Sequence, residues 1–152
     1  MTHVFAYGSN LDSARMVGRV PSATAVGRAD LAGFEIRFHK RGWTDGTGKA
    51  DAFTSKDAGA VIHGVVYEVD EAELADLDVH ETGYERALVG VTIGTRDGSR
   101  HLEAWIYRAR PDVIDGELLP TGWYRDHILR GAREHGLPEE LIAWLEAHPT
   151  QE

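Results

Sequence analysis

His3-Val4-Phe5-Ala6-Tyr7-Gly8-Ser9-Asn10-Leu11 (residues 3–11) joins an apolar strand to a small polar turn. The strand, His3 to Ala6, stops at Gly8-Ser9-Asn10, three residues with turn chemistry. Successive backbone N–H groups in such a turn form a nest for an anion or oxyanion. Ser9 and Asn10 add polar side chains to it. Asp12 then reads as the cap of a short helix through Val17. The same letters also describe an ordinary strand-to-helix turn, so the stretch needs support from the rest of the chain.

Working outward, Thr24 to Leu31 and Phe34 to Lys40 read as strands separated by Gly33. The second alternates, with Phe34, Ile36 and Phe38 on one face and Glu35, Arg37 and His39 on the other. The adjacent cations Lys40 and Arg41 read as solvated, and Gly42 to Lys49 as a glycine-rich loop. Ala60 to Val69 is rich in valine and reads as a central strand. Asp70 caps a helix through about His80, with Glu73 as its capping-box partner and Leu74 and Leu77 on one face. Arg86 to Gly94 and His101 to Ala109 form a hairpin around the Asp97-Gly98 signal. Trp123 to His135 is an amphipathic helix ending at Gly136, and Pro138 opens a last helix through about Ala147. Strands with one helix inserted late, followed by terminal helices, give an α+β fold. Its sheet is small, mixed or antiparallel, and can close as a barrel. Residues 1–152 read as one domain.

Bulk composition narrows the function. The 152 residues are 42% hydrophobic, ordinary for a packed core, and carry a formal net charge of -9. Such a balance disfavours nucleic acid as a partner, because phosphate-backbone binding needs a Lys/Arg surface. With no cysteine, disulfides, Cys-ligated zinc and thiol nucleophiles are excluded. The N-terminal residues lack a signal-peptide pattern, and no apolar run approaches the ~20 residues a bilayer requires. The expected location is the cytoplasm. The eight histidines show no HExxH pair, so no metal is expected. There is also no G-x-S-x-G elbow.

Two further clusters carry chemistry. In Leu77-Asp78-Val79-His80-Glu81-Thr82-Gly83-Tyr84, Glu81 ends a helix just before a glycine turn. The negative end of the helix dipole disfavours its charge and raises its pKa, which suits a general base near neutral pH. The second cluster is aromatic: Trp105, Tyr107, Trp123 and Tyr124. If Tyr107 and Tyr124 turn inward, their hydroxyls meet a ligand while their rings exclude water.

Together these stretches resemble the γ-glutamylcyclotransferase-like (AIG2-like) family. Phe5-Ala6-Tyr7-Gly8-Ser9-Asn10-Leu11 is similar to its N-terminal YGSN signature. Gly48-Lys49-Ala50-Asp51 and Gly64 to Val69 resemble its middle strands. Leu77-Asp78-x-x-Glu81 followed by Tyr84 resembles its LDxxEG…Y segment, with Thr82 in place of the glycine. Gly136-Leu137-Pro138-Glu139-Glu140 resembles its C-terminal stretch. The resemblance implies a small mixed barrel with flanking helices and a cavity above the YGSN turn. It implies that Tyr7, Gly8, Ser9, Asn10 and Leu11 hold a γ-glutamyl head and that Glu81 is the acid/base. Tyr84, Tyr107 and Tyr124 would be pocket wall and hydrogen-bond donors. No cofactor is expected, because the substrate carries its own nucleophile. The expected partner is a small γ-glutamyl substrate, with a homodimer left open and no membrane or nucleic acid. Two other readings stay open: a binding module that does no chemistry, and a cyclotransferase acting on γ-glutamylamines or removing a biosynthetic γ-glutamyl cap.

Overall fold

A computed structural model describes residues 1–95 and 98–151. Five strands close a mixed barrel in the order β1-β5-β2-β6-β7. They are β1 (Thr2–Ala6), β2 (Thr24–Ala32), β5 (Val61–Val69), β6 (Tyr84–Thr95) and β7 (Gly98–Ala109). All neighbours are antiparallel except at the seam, where β1 meets β7 in parallel through Val4 and Trp105. Two further strands, β3 (Phe34–Arg41) and β4 (Gly48–Thr54), form a separate hairpin sheet. The helices are α1 (Ser13–Arg19), α2 (Leu74–His80), α3 (Gly122–Glu134) and α4 (Glu139–Ala147). No helix among the described residues is long and apolar enough to cross a membrane.

The expected central strand is central: β5 lies between β1 and β2, and Ile62, Val65, Val66, Tyr67 and Val69 are buried. Each such apolar side chain contributes about 1.5–3 kcal/mol when fully covered. The β6–β7 hairpin is also as expected, pairing Thr95 with Gly98 at its tip, while Asp97 of the turn signal lies outside the described residues. At α3, Thr121 Oγ1 accepts from the Tyr124 N–H, and Gly136, at φ +62°, ends the helix.

Three local expectations are corrected. Glu73 does not close a capping box: its carboxylate accepts from the Ser22 N–H, while the Asp70 N–H donates to Ser22 Oγ. Asp12 sits at the N-cap position of α1, but its Oδ2 accepts from His127 Nδ1 and Arg130 Nη1 of α3. The alternation of β3 fails after Arg37, where the pairing with β4 shifts register. The bulge breaks the period of two, and Phe38, His39 and Lys40 are buried in succession, so Lys40 is not the solvated cation expected.

The bulge creates a buried polar knot. His39 Nε2 lies 2.7 Å from Asp51 Oδ2. Asp51 Oδ1 accepts the Ala109 N–H at 2.7 Å, tying β4 to β7. The edge of β4 that faces the barrel meets no strand ladder. Its backbone is satisfied by side chains: Ala50 N–H donates to Tyr124 Oη, Tyr84 Oη donates to Ala50 O, Ala52 N–H donates to Tyr7 Oη, and Arg108 Nε donates to Ala52 O. Buried backbone groups need partners, and here three phenols and a guanidinium supply them.

Candidate active site

The Gly8-Ser9-Asn10 turn continues into one 3-10 turn, Ser9–Leu11, directly off β1. The Leu11 N–H bonds back to Gly8 O and the Asp12 N–H to Ser9 O. Among the described residues, no acceptor meets the N–H groups of Gly8, Ser9 and Asn10. The turn is held from behind. Tyr67 Oη donates to the Asn10 carbonyl at 3.0 Å, and His135 Nε2 meets the Leu11 carbonyl at 3.0 Å. Gly131 of α3 lets that helix touch the turn, since a Cβ there would lie 2.3 Å from the Leu11 carbonyl carbon.

A small cavity of about 40 Å³, partly open to solvent, lies against this turn. Tyr7, Gly8, Ser9, Asn10, Glu81, Tyr84, Tyr107 and Tyr124 all line it, so the structure brings together every expected site residue but one. Leu11 is the exception: it is fully buried in the core and supports the turn from below. Val4, Phe5, Ala6 and Ala50 complete the apolar wall.

Glu81 is the C-cap of α2, and its side chain is 12% exposed. Its Oε1 accepts from Asn10 Nδ2 at 2.8 Å, and Arg19 Nη1 lies 3.4 Å away. The same Arg19 nitrogen donates to Asn10 Oδ1 at 3.0 Å, closing a triangle. No donor among the described residues meets Oε2. Burial raises the Glu81 pKa above its ordinary value, and it outweighs the lowering by Arg19, the Asn10 hydrogen bond, Lys40 and Arg15. The direction agrees with the expectation, and burial is its leading cause.

The four tyrosines are not equivalent donors. Tyr7 Oη donates to the Tyr107 carbonyl, and Tyr84 Oη to Ala50 O at 2.7 Å. Tyr107 Oη donates at 2.6 Å to Asp78 Oδ1, which also pairs with Arg86 Nε at 2.8 Å. Tyr124 Oη instead accepts, from Ala50 N–H, and no acceptor among the described residues takes its proton. Burial pushes its pKa to about 12, so it keeps that proton at neutral pH. Trp123, by contrast, is exposed and does not line this cavity.

Sequence reasoning missed Arg19, which holds both Asn10 and Glu81, and Lys40. Lys40 is buried, its Nζ donates to the Thr82 carbonyl, and it lies 4.6 Å over the Tyr84 ring. The positive φ of Gly83, +87°, makes the turn that lets Lys40 approach there. Among the described residues, no group of three or more His, Asp and Glu side chains is arranged to hold a metal ion.

Comparison with known proteins agrees with this arrangement. The family profile described as Gamma-glutamyl cyclotransferase, AIG2-like, matches residues 4–126. The gamma-glutamylcyclotransferase of Bos taurus is 33% identical over 147 residues, covering 90% of this chain and 72% of the bovine one. That of Homo sapiens is 32% identical over 154 residues, covering 94% of this chain and 76% of the human one. A solved gamma-glutamyl cyclotransferase structure matches with a TM-score of 0.83 at 29% identity, over 99% of this chain and 89% of that one. The chain belongs to the gamma-glutamyl cyclotransferase, AIG2-like family.

Proposed function

We propose that the protein cyclises the γ-glutamyl group of a small γ-glutamyl amide to 5-oxoproline and releases an amine or amino acid. The carrying observation is the Glu81 carboxyl group: Oε1 is fixed by Asn10 and Arg19, while Oε2 has no partner among the described residues, beside a cavity walled by the Gly8-Ser9-Asn10 turn. The names of the bovine and human relatives support the same reaction class.

The chemistry needs three things from the protein. The substrate's α-ammonium must lose a proton to become a nucleophile. Glu81 takes it, helped by a pKa raised toward the working pH. The freed amine then attacks the γ-carbonyl carbon and closes a five-membered ring. Orientation in the cavity can supply roughly 7–11 kcal/mol toward that step. The carbonyl oxygen becomes an oxyanion, for which the turn N–H groups and the free Tyr124 proton are the available donors. Glu81 finally returns its proton to the leaving nitrogen as the amide C–N bond breaks. After the attack the ring nitrogen still carries two hydrogens; one of them passes to the departing amine, which leaves as an ammonium ion, and 5-oxoproline leaves with one N–H.

The test is Glu81→Gln, assayed for 5-oxoproline release and for ligand binding. Gln keeps an oxygen for Asn10 but cannot carry a proton, so turnover should fall about 1,000-fold while binding is retained. Comparable turnover in both proteins would overturn the role of Glu81. Binding without product in the wild type would make the protein a binding module.

A further inference from the structure

Outside the cavity, on the other side of Glu81, lies a groove with cations on several walls: Arg15 and Arg19 from α1, Lys40 from β3 and Lys49 from β4. Its acidic members are Asp45 and Glu81. The chain as a whole carries a formal net charge of -9, so this cluster opposes the general charge.

Pairing the charges leaves a surplus. Lys49 Nζ sits 3.2 Å from Asp45 Oδ2, and Arg19 Nη1 sits 3.4 Å from Glu81 Oε1. Arg15 spends its Nε on Ser9 Oγ at 3.1 Å and lies 5.6 Å over the Trp123 ring. Lys40 gives its ammonium to a neutral carbonyl, that of Thr82. Among the described residues, neither Arg15 nor Lys40 forms an ion pair with a carboxylate. A buried cation short of counter-charge is costly: Lys40 is only 3% exposed, and Glu81, which acts on both Lys40 and Arg15, is already paired with Arg19. The inner cavity, by contrast, has no cation in its lining among the described residues. A substrate whose head sits against the turn would therefore extend its other end across Glu81 into the cations.

We propose that this groove is the leaving-group subsite and that it selects γ-glutamyl amides whose leaving amine bears two carboxylates. Arg15 and Lys40 stand on two different elements, so two separate carboxylates match them, while one would leave a cation unmatched. The two Nη nitrogens of Arg15 offer a planar fork to one carboxylate. Trp43 and Trp123, 80% and 61% exposed, flank the groove and can cover the aliphatic part of such a group. The inference rests on the cyclotransferase reading of the cavity.

The experiment compares γ-glutamylglutamate, γ-glutamylalanine and γ-glutamyl-n-butylamine by 5-oxoproline release and, with Glu81→Gln protein, by calorimetric binding. The expected order of kcat/KM and of affinity is diacid, then monoacid, then amine, about ten-fold per step. Added salt should compress the order. Arg15→Gln should remove most of the diacid advantage through KM, and Lys40→Met, checked for folding by thermal melting, should do the same. Equal binding and turnover of diacid and monoacid overturns the inference but leaves the cyclotransferase reading intact. A diacid preference in binding with no 5-oxoproline from any substrate does the reverse: the anion subsite stands and the reaction falls.

Discussion

Asn10 Nδ2 donates to Glu81 Oε1 across 2.8 Å, joining two residues 71 positions apart in the chain. One belongs to the turn off β1 and the other ends α2, so the acid's position is set by the turn that faces the cavity. Asn10→Ala releases Oε1 to Arg19 alone. A displacement of about 1 Å at a reacting group can cost roughly 100-fold, so kcat should fall by that order with KM little changed. Unchanged kcat would mean Arg19 suffices.

Ser9 offers a contrast within the same turn. Its Oγ accepts from Arg15 Nε, while its N–H is the group available to an oxyanion. Ser9→Ala keeps the N–H, so activity should drop by less than about ten-fold, far below the loss in Glu81→Gln. Equal losses in the two variants would assign the work to the hydroxyl.

The raised pKa of Glu81 has a signed consequence. Its ordinary value is 4.5, and burial lifts the folded value above that. The folded state therefore binds this proton more tightly than the unfolded chain, and stability falls as pH rises from the unfolded value through the folded one. Glu81→Gln removes that loss. The melting temperature of the variant should gain on the wild type as pH rises above about 4.5. The acid limb of the wild-type kcat/KM profile should also lie above the ordinary carboxylate range. A variant that loses ground at neutral pH would show that the surrounding cations dominate.

Asp51 links three strands through His39 and the Ala109 N–H. Asp51→Ala strands both partners in the core and should cost about 3 kcal/mol in chemical denaturation. Asp51→Asn keeps an acceptor and should cost less. A loss below about 0.5 kcal/mol for the alanine variant would mean that water replaces the carboxylate.

Gly131→Ala tests how α3 holds the turn. The added Cβ would lie 2.3 Å from the Leu11 carbonyl carbon and 2.5 Å from the Asp12 nitrogen, both backbone atoms that cannot swing aside. Overpacking of this kind costs about 1–3 kcal/mol, and turnover should fall along with the melting temperature. Full activity in a destabilised protein would separate the turn's geometry from this contact.

Much of this was legible in the sequence because the signals are local. The strand that ends at Gly8, the helix that ends at Glu81 and the β6–β7 hairpin each follow from short-range chemistry, and the resemblance tied them to one cavity. What stayed hidden depends on partners far away in the chain. Lys40 read as solvated because it adjoins Arg41 and a glycine-rich loop, whereas the fold buries it and gives its ammonium the Thr82 carbonyl. Arg19 looks like an ordinary basic residue at a helix end until Asn10 and Glu81 come within reach. Leu11 shares the motif with the lining residues, yet it points into the core. The resemblance makes Tyr84, Tyr107 and Tyr124 donors to a ligand, but periodicity cannot reveal that Tyr84 and Tyr107 give their protons to protein acceptors.

The β4 edge makes those phenols serve a second purpose. A row of unclaimed amides and carbonyls invites another polypeptide to zip alongside it, and Tyr7, Tyr84 and Tyr124 occupy that row in place of a strand. Drift at these positions toward phenylalanine would reshape the binding chamber and would also lay bare a template for self-association. Upkeep of the chamber and resistance to aggregation are thus vested in the same three side chains.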